Sequence, residues 1–440
     1  MNMIFMLIFL SLSLKAEVLT LEKAVEIAKK RSPVILMAKK EWEKARFQKG
    51  EARSYFFPVI SLSGNYTYLS EIPEMKSSYI DTGIDFTNNN YLYFKGIKEV
   101  RTPFGFENNY NWKLCFYYPI FSWGKIRNGY NIVSLKEKIS YEDYVKKEKE
   151  IIAEVKKAFF GVLFLKKIVD ISKESVDLLK EHLEVTERLF KEGKVSDYDV
   201  SRIKVQLVIA ETKLIKAEND YVMAKKGLLN LLDLKDEGDW EIEGELKFEK
   251  KEFNLEDLKR RAIENRSEMK IVDKTLDILK RNLSLAYAEN RPTISLFGSY
   301  VYQKPFYFEN IWKKTWNVGA TLDFPIFNGF RDFSKAKQIK SEIEKIKTLK
   351  SSLKSKIKLE VENAYLKIEE AKKRIEAQME NVEVARENYE IAKERYELGL
   401  MSDIEVRDAQ FALTQAETEF YKAIFDYRTA IIELEKAVGE

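Results

Sequence analysis

The chain has 440 residues, 75 Lys+Arg against 71 Asp+Glu, and a formal net charge of +4. So even a balance offers no basic surplus for nucleic acid as the main partner, and a hydrophobic fraction of 45% excludes global disorder. One Cys and one His exclude a disulfide framework, a Cys/His zinc site and a Ser-His triad with a spare histidine.

Residues 1–16 begin with an apolar run, Ile4-Phe5-Met6-Leu7-Ile8-Phe9-Leu10, and end at Ala16. The run is shorter than the roughly 20 residues of a membrane-spanning helix. It reads as an export signal with Ala16 as the cleavage residue. The only Cys is Cys115, so the cysteine of a lipid anchor is not expected. A helix is expected over about 33–55. Next come two segments of alternating polarity. In one, Ile60, Leu62, Gly64, Tyr66 and Tyr68 alternate with Ser61, Ser63, Asn65 and Thr67. In the other, Tyr110, Trp112, Leu114, Phe116 and Tyr118 alternate with Asn109, Asn111, Lys113 and Cys115. Period two is the mark of a strand with unlike faces, and each has the length of a tilted transmembrane strand. Cys115 falls on the polar side, the side of a pore. Residues about 70–108, long and polar with Asn88-Asn89-Asn90, are expected as an external loop.

No proline falls between Pro119 and Pro292 or after Pro325, and proline breaks helix interiors. Long helices are therefore permitted there. One is expected over about 125–191, ending at Gly193. Another follows from Ser196 to about 232, with Asp199 three residues after the Ser196 cap as a capping box. His182, in the first, has charged neighbours and is expected at the solvated surface. Residues 233–254, with Asp236, Glu237, Gly238 and Asp239, read as a linker.

The order then recurs. A helix over about 267–289 leads to two further alternating segments, at about 293–302 and 315–324, joined by 303–314. A long helix is expected over about 331–397. Its apolar residues, among them Ile357, Val361, Ala364, Ile368, Ala371 and Ile375, are spaced by 3 or 4 throughout. Gly399 ends it, and Ser402 with Glu405 repeats the capping box before a last helix to about 437. Tyr118-Pro119-Ile120-Phe121 matches Phe324-Pro325-Ile326-Phe327, and Gly193-Lys194-Val195-Ser196-Asp197 matches Gly399-Leu400-Met401-Ser402-Asp403; both pairs share an offset of 206 residues. Pro58 and Pro292 likewise open matching strands. The chain thus reads as 1–16 signal, 17–232 first repeat (helix-strand-strand-long helix-helix), 233–254 linker and 255–438 second repeat.

Four strands cannot close a barrel, and lipid does not tolerate open edges. Two chains would supply eight strands, whose interior side chains fill, and three would supply twelve with a wider lumen. A trimer is the smallest open solution. The rival reading is a soluble coiled-coil scaffold. No residue constellation supports an enzyme.

The duplicated strand start at Pro58 and Pro292, the strand ends at Pro119 and Pro325, the paired Gly-x-x-Ser-Asp turns at Gly193 and Gly399, and the stretch Tyr396-Glu397-Leu398-Gly399 together resemble the TolC family of outer membrane efflux proteins. The resemblance covers nearly all of the mature chain. It implies a mainly α fold with a transmembrane β-barrel portion: a homotrimer with a 12-stranded barrel among outer membrane lipids and a long α-helical barrel in the periplasm. It implies no enzyme activity and no cofactor. It implies a passive duct for efflux or type I secretion, with a periplasmic adaptor (membrane fusion) protein and an inner-membrane transporter of RND or ABC type. The turns Gly193, Ser196, Asp197 and Gly399, Ser402, Asp403 are then adaptor contacts. Pro58, Pro119, Pro292 and Pro325 mark the barrel-helix junction. Carried over by spacing, Glu405 and Asp408 form the periplasmic constriction, with first-copy counterparts Asp199 and Arg202, and Tyr396 supports it by hydrogen bonding. The basic residue expected two positions after the second glycine is Met401 here, a departure, and Arg202 is the cation left to pair with a carboxylate.

Overall fold

The computed structural model of the chain describes residues 17–85, 91–234 and 240–440. The expected export signal, Asn88-Asn89-Asn90, and Asp236 to Asp239 of the linker lie outside these residues. In chain order the elements are β1 (Glu17–Leu19), α1 (Leu21–Arg31), α2 (Pro33–Ser54), β2 (Val59–Tyr68), β3 (Glu74–Asp85), β4 (Tyr91–Pro103), β5 (Asn108–Phe121), α3 (Lys125–Lys191), α4 (Asp197–Leu231), β6 (Trp240–Ile242), α5 (Leu255–Asn265), α6 (Ser267–Ala288), β7 (Thr293–Lys304), β8 (Lys313–Asp323), α7 (Arg331–Glu397) and α8 (Asp403–Val438).

Two units divide the chain, one of Met1–Arg46, Leu135–Leu276 and Glu344–Glu440, the other of Phe47–Ser134 and Asp277–Ile343. The first unit is helical. The expected stripe on α7 is its spine: Ile357, Val361, Ala364, Ile368, Ala371 and Ile375 are all buried. They meet Val155, Phe159 and Val162 of α3 and Ile424, Tyr427 and Ile431 of α8 in one core. Ala364 and Ala371, two steps apart in that run, let the axes approach, and the 3-or-4 spacing keeps the stripe facing one way along the helix. At 1.5 Å per residue the 67-residue α7 is about 100 Å long. Leu349 and Met379, which share the expected stripe, are exposed.

Along α3, two shorter helices lie in succession. Ser267 and Lys274 of α6 bond Glu142 at 3.3 and 3.2 Å. Glu435 and Glu433 of α8 take Lys156 and Lys157 at 2.7 and 2.8 Å. The last turn of α8 abuts the start of α6, where a Cβ on Gly439 would stand 3.3 Å from the Arg266 amide nitrogen.

Three expectations need correction. Each copy opens with two helices, not one. The Thr20 hydroxyl accepts from the Lys23 N–H to start α1. Ser32, at ψ 121°, then breaks the chain before Pro33, whose ring disfavours a helical predecessor. In the second copy α5 and α6 break at Arg266 without a proline, at ψ 126°; its guanidinium is taken by Glu268 and Glu360. Second, the expected loop over 70–108 carries its own antiparallel pair, β3–β4. Third, the expected linker over 233–254 is built into the helical core: its β6 pairs in parallel with β1, Leu19 opposite Ile242. Three-residue strands leave too little alternation to be read from sequence.

Candidate functional site

The second unit holds an antiparallel sheet of order β2-β5-β7-β8. Its register decides which residues share a face. Leu62, Leu114, Tyr300 and Trp316 stand in one row across all four strands, and Ser61, Cys115, Ser299 and Asn317 in the next. Side chains alternate between faces along a strand, so one whole face is apolar and aromatic and the other largely small and polar. Cys115 lies on the polar face, and Asn317 Oδ1 there accepts from the Ser299 hydroxyl at 2.9 Å. On the apolar face Trp316 is 74% and Val318 69% exposed. A large apolar side chain left in water forgoes about 1.5–3 kcal/mol, and a continuous face of them calls for a covering medium.

Aromatic belts flank that face. At the loop end, Tyr66 and Tyr110 have ring centroids 5.0 Å apart, and Trp312 lies 5.6 Å from Tyr110 and 4.6 Å from Tyr302. At the other end Phe121 meets Trp123 at 5.2 Å. Amphipathic rings at both ends of a strand suit the two interfaces of a bilayer. Gly64 lies under the Trp112 ring, where a Cβ would come within 2.6 Å. Among the described residues β2 pairs only with β5 and β8 only with β7 within the sheet, so both outer edges are open. Pro58 and Pro292 stand just before β2 and β7, and Pro325 just after β8. Pro119 differs from expectation: it lies inside β5, at a register irregularity before Phe121, where its missing N–H disturbs least.

The helical unit presents two turns of the same build. Gly193 and Gly399 both have φ 73°, the left-handed region that favours glycine. Lys194 N–H reaches the Leu189 carbonyl at 2.9 Å, and Leu400 N–H the Arg395 carbonyl at 2.8 Å, closing α3 and α7. Ser196 then caps α4: Asp199 accepts from its N–H at 3.0 Å and its hydroxyl at 2.7 Å, and Asp199 N–H returns to the hydroxyl at 3.3 Å. At α8, Glu405 accepts from the Ser402 N–H and hydroxyl, both at 2.8 Å. The backbone N–H of Ser402, and then its hydroxyl, hold the Glu405 carboxyl below its ordinary range.

The turns differ in one carboxylate. Asp197 is exposed. Asp403, at the equivalent position, is 4% exposed and turned inward. His182 Nε2 lies 2.8 Å from Asp403 Oδ1. Arg202 Nε donates to Oδ2 at 3.0 Å, and its Nη2 donates to the same oxygen. Burial pushes the Asp403 carboxyl up, but the hydrogen bonds from His182 and Arg202 outweigh it and hold the group below the ordinary value. The ionised carboxylate only accepts, so His182 Nε2 is the donor. Beside it the Tyr396 and Thr186 hydroxyls bond each other at 2.8 Å, and Thr186 donates to the His182 carbonyl at 2.9 Å. The His182 and Tyr396 rings are 4.7 Å apart. One side chain each from α3, α4 and α8 thus meets at a single carboxylate, with α7 locked on through Tyr396.

His182 is therefore not at the solvated surface, at 6% exposed, because the buried Asp403 needs a donor on each oxygen. Asp403 is likewise no surface group of its turn, whereas Gly193, Ser196, Asp197, Gly399 and Ser402 are exposed. Of the expected constriction residues, Glu405 and Asp408 are exposed, one turn apart on α8. Asp199 is half-buried with Arg202 at 3.8 Å, and Tyr396 is buried. The sequence reading did place Arg202 with a carboxylate, but missed His182 and Thr186. The offset of 206 holds the signal: it sets His182, Thr186 and Arg202 against Asn388, Ala392 and Asp408, so only one copy can surround a buried acid.

Among the described residues no helix is long and apolar enough to cross a membrane, and no cluster of His, Cys, Asp and Glu could hold a metal ion. The model of the outer membrane efflux protein family matches residues 24–233 and 258–440. No curated protein matches the chain. Solved structures do: the outer membrane protein VceC of Vibrio cholerae superposes with a TM-score of 0.75 at 16% identity, covering 95% of this chain and 96% of that one. The CmeC outer membrane channel of Campylobacter jejuni gives 0.73 at 20%, covering 95% and 85%. The open MtrE outer membrane channel of Neisseria gonorrhoeae gives 0.73 at 17%, covering 95% and 88%. At these identities the likeness establishes the shared fold.

Proposed function

The chain belongs to the outer membrane efflux protein family, and from that premise we propose that it is the exit duct of an export machine, three copies forming one outer membrane channel. The observation that carries the reading is the four-stranded sheet, apolar on one face, polar on the other and open at both edges. Joined edge to edge, three such sheets give twelve strands with every ladder paired, lipid outside and a polar lumen inside. A soluble coiled-coil scaffold would have no use for an exposed apolar sheet between aromatic belts.

The helical unit extends into the periplasm, where the exposed turns Gly193, Ser196, Asp197, Gly399 and Ser402 meet an adaptor protein backed by an inner-membrane transporter of RND or ABC type. That assembly serves efflux or type I secretion. The duct supplies no energy and makes no covalent change. The periplasmic tip is its gate. Three copies of Glu405 and Asp408 around one axis place six carboxylates at the constriction, which repel one another and attract cations. Asp199, Arg202 and Tyr396 hold the helices that carry them.

Reconstitution of the full-length protein in planar bilayers tests both levels. A water-filled conductance is expected from membrane-extracted oligomer, and its absence removes the duct. Glu405→Ala with Asp408→Ala is expected to raise conductance and reduce cation preference. If both stay at the wild-type level, the gate lies elsewhere.

A further inference from the structure

Far along the helices from the turns, α3, α6, α7 and α8 line a half-open cavity of about 430 Å³. Its charge is uneven. Six cations line it, Lys146, Lys149, Lys157, Arg266, Lys367 and Lys436, against the four carboxylates of Glu150, Glu268, Glu360 and Glu433. A surplus of two in one cavity is large for a chain whose whole net charge is +4.

The carboxylates are already taken. Glu433 bridges Lys157 and Lys367. Glu268 takes Arg266 and Lys146, and Glu360 takes Arg266 from the other side. Glu150 pairs with Lys147 outside the cavity. Lys149 and Lys436 make no ion pair with a lining carboxylate, and Glu142 and Glu148, the acids that act on Lys149, only partly offset its burial. Lys149 spends one of its three donors on the Gly439 carbonyl, at 2.6 Å. Burial, and then the neighbouring Lys270, pull its ammonium below the ordinary lysine value. A site that discourages charge on its own lysine is one that an added anion relaxes. Ser267 and Asn363 add neutral hydrogen-bonding groups to the wall.

We propose that this cavity binds a phosphate group, free or carried on a larger molecule, its oxygens held by Lys149 and Lys436. Lysine suits that role as a point charge with rotatable donors, whereas Arg266 is fixed by its two carboxylates. None of the lining residues belongs to the turns or the gate, and the ligand would fasten four helices to one another.

The test is calorimetric titration of the detergent-solubilised full-length protein with inorganic phosphate, with glucose 6-phosphate and with glucose, at matched ionic strength. Binding of both phosphates and not glucose is expected, and would assign the site to phosphate itself. Binding of the sugar phosphate alone would assign it to phosphorylated saccharides. Lys436→Gln, whose side chain makes no ion pair in the wall, and the double variant Lys149→Gln with Lys436→Gln should each weaken binding about tenfold or more. Lys280→Gln, on the exposed face of α6 beside Asp277, should not. Equal affinity in Lys436→Gln and wild type overturns the assignment, as does failure of both phosphates to bind or binding of glucose to the same extent.

Discussion

The two interhelical turns of this chain are one sequence used twice, and they differ in where the second acid points. Gly193 and Gly399 share a φ, both serines are bound by the acid three residues on, and Asp197 and Asp403 occupy equivalent positions. Asp197 faces water; Asp403 is buried against His182 and Arg202. Backbone conformation cannot cause this, because the backbones match. The neighbours cause it. At the offset of 206, the residues that would surround Asp197 are Asn388 and Asp408 in place of His182 and Arg202, and Phe190 stands for Tyr396. A buried carboxylate needs a donor for each oxygen and a counter-charge; only one copy retains them. Duplication supplied two equal turns, and a few substitutions made one a clamp and left the other free.

That comparison can be broken experimentally, starting from the largest expected effect. Asp403→Ala leaves Arg202 and His182 without their acceptor and should cost about 3 kcal/mol, read as loss of hydrogen-exchange protection in the last turns of α3 and α7 and the first of α4 and α8. Asp197→Ala should stay within about 0.5 kcal/mol. Equal losses would mean that burial of Asp403 has no energetic weight. Removing one hydroxyl is milder. Tyr396→Phe leaves the buried Thr186 hydroxyl with only its bond to the His182 carbonyl, and should cost about 1 kcal/mol. Ser196→Ala deletes a cap present in both turns, so about 1 kcal/mol is expected there too, with matching loss from Ser402→Ala.

Acid sharpens the contrast. The Asp403 carboxyl sits below its ordinary value in the folded chain. Its contribution is therefore complete above the unfolded value near pH 4 and is lost as pH falls through the lower folded value. The stability gap between the protein and Asp403→Asn should persist from pH 7 to 5 and close only below about pH 4. A gap that closes already by pH 5 would show that the carboxylate is not held ionised by its neighbours.

Much of the architecture was legible because it is periodic. The two 67-residue helices follow from proline-free stretches and 3-or-4 spacing, and the four membrane strands from period two over ten or more residues. What escaped was short or non-local. The β1–β6 pair has three residues a side. The α5–α6 break depends on Arg266 finding carboxylates on two helices. His182 looked solvated because its sequence neighbours are charged; its real neighbours come from α4, α7 and α8, more than 200 residues away in two cases. Asp403 was legible as a turn residue even with the two copies aligned, and its burial follows only from the contacts with His182 and Arg202 in the fold.

The account depends most on the open-edged sheet being completed by sister chains in a membrane. Native mass spectrometry of the full-length protein, released from detergent micelles after extraction from outer membranes, reads this directly. Three chains per particle is the predicted result. A single chain, stable and soluble without detergent, would contradict it.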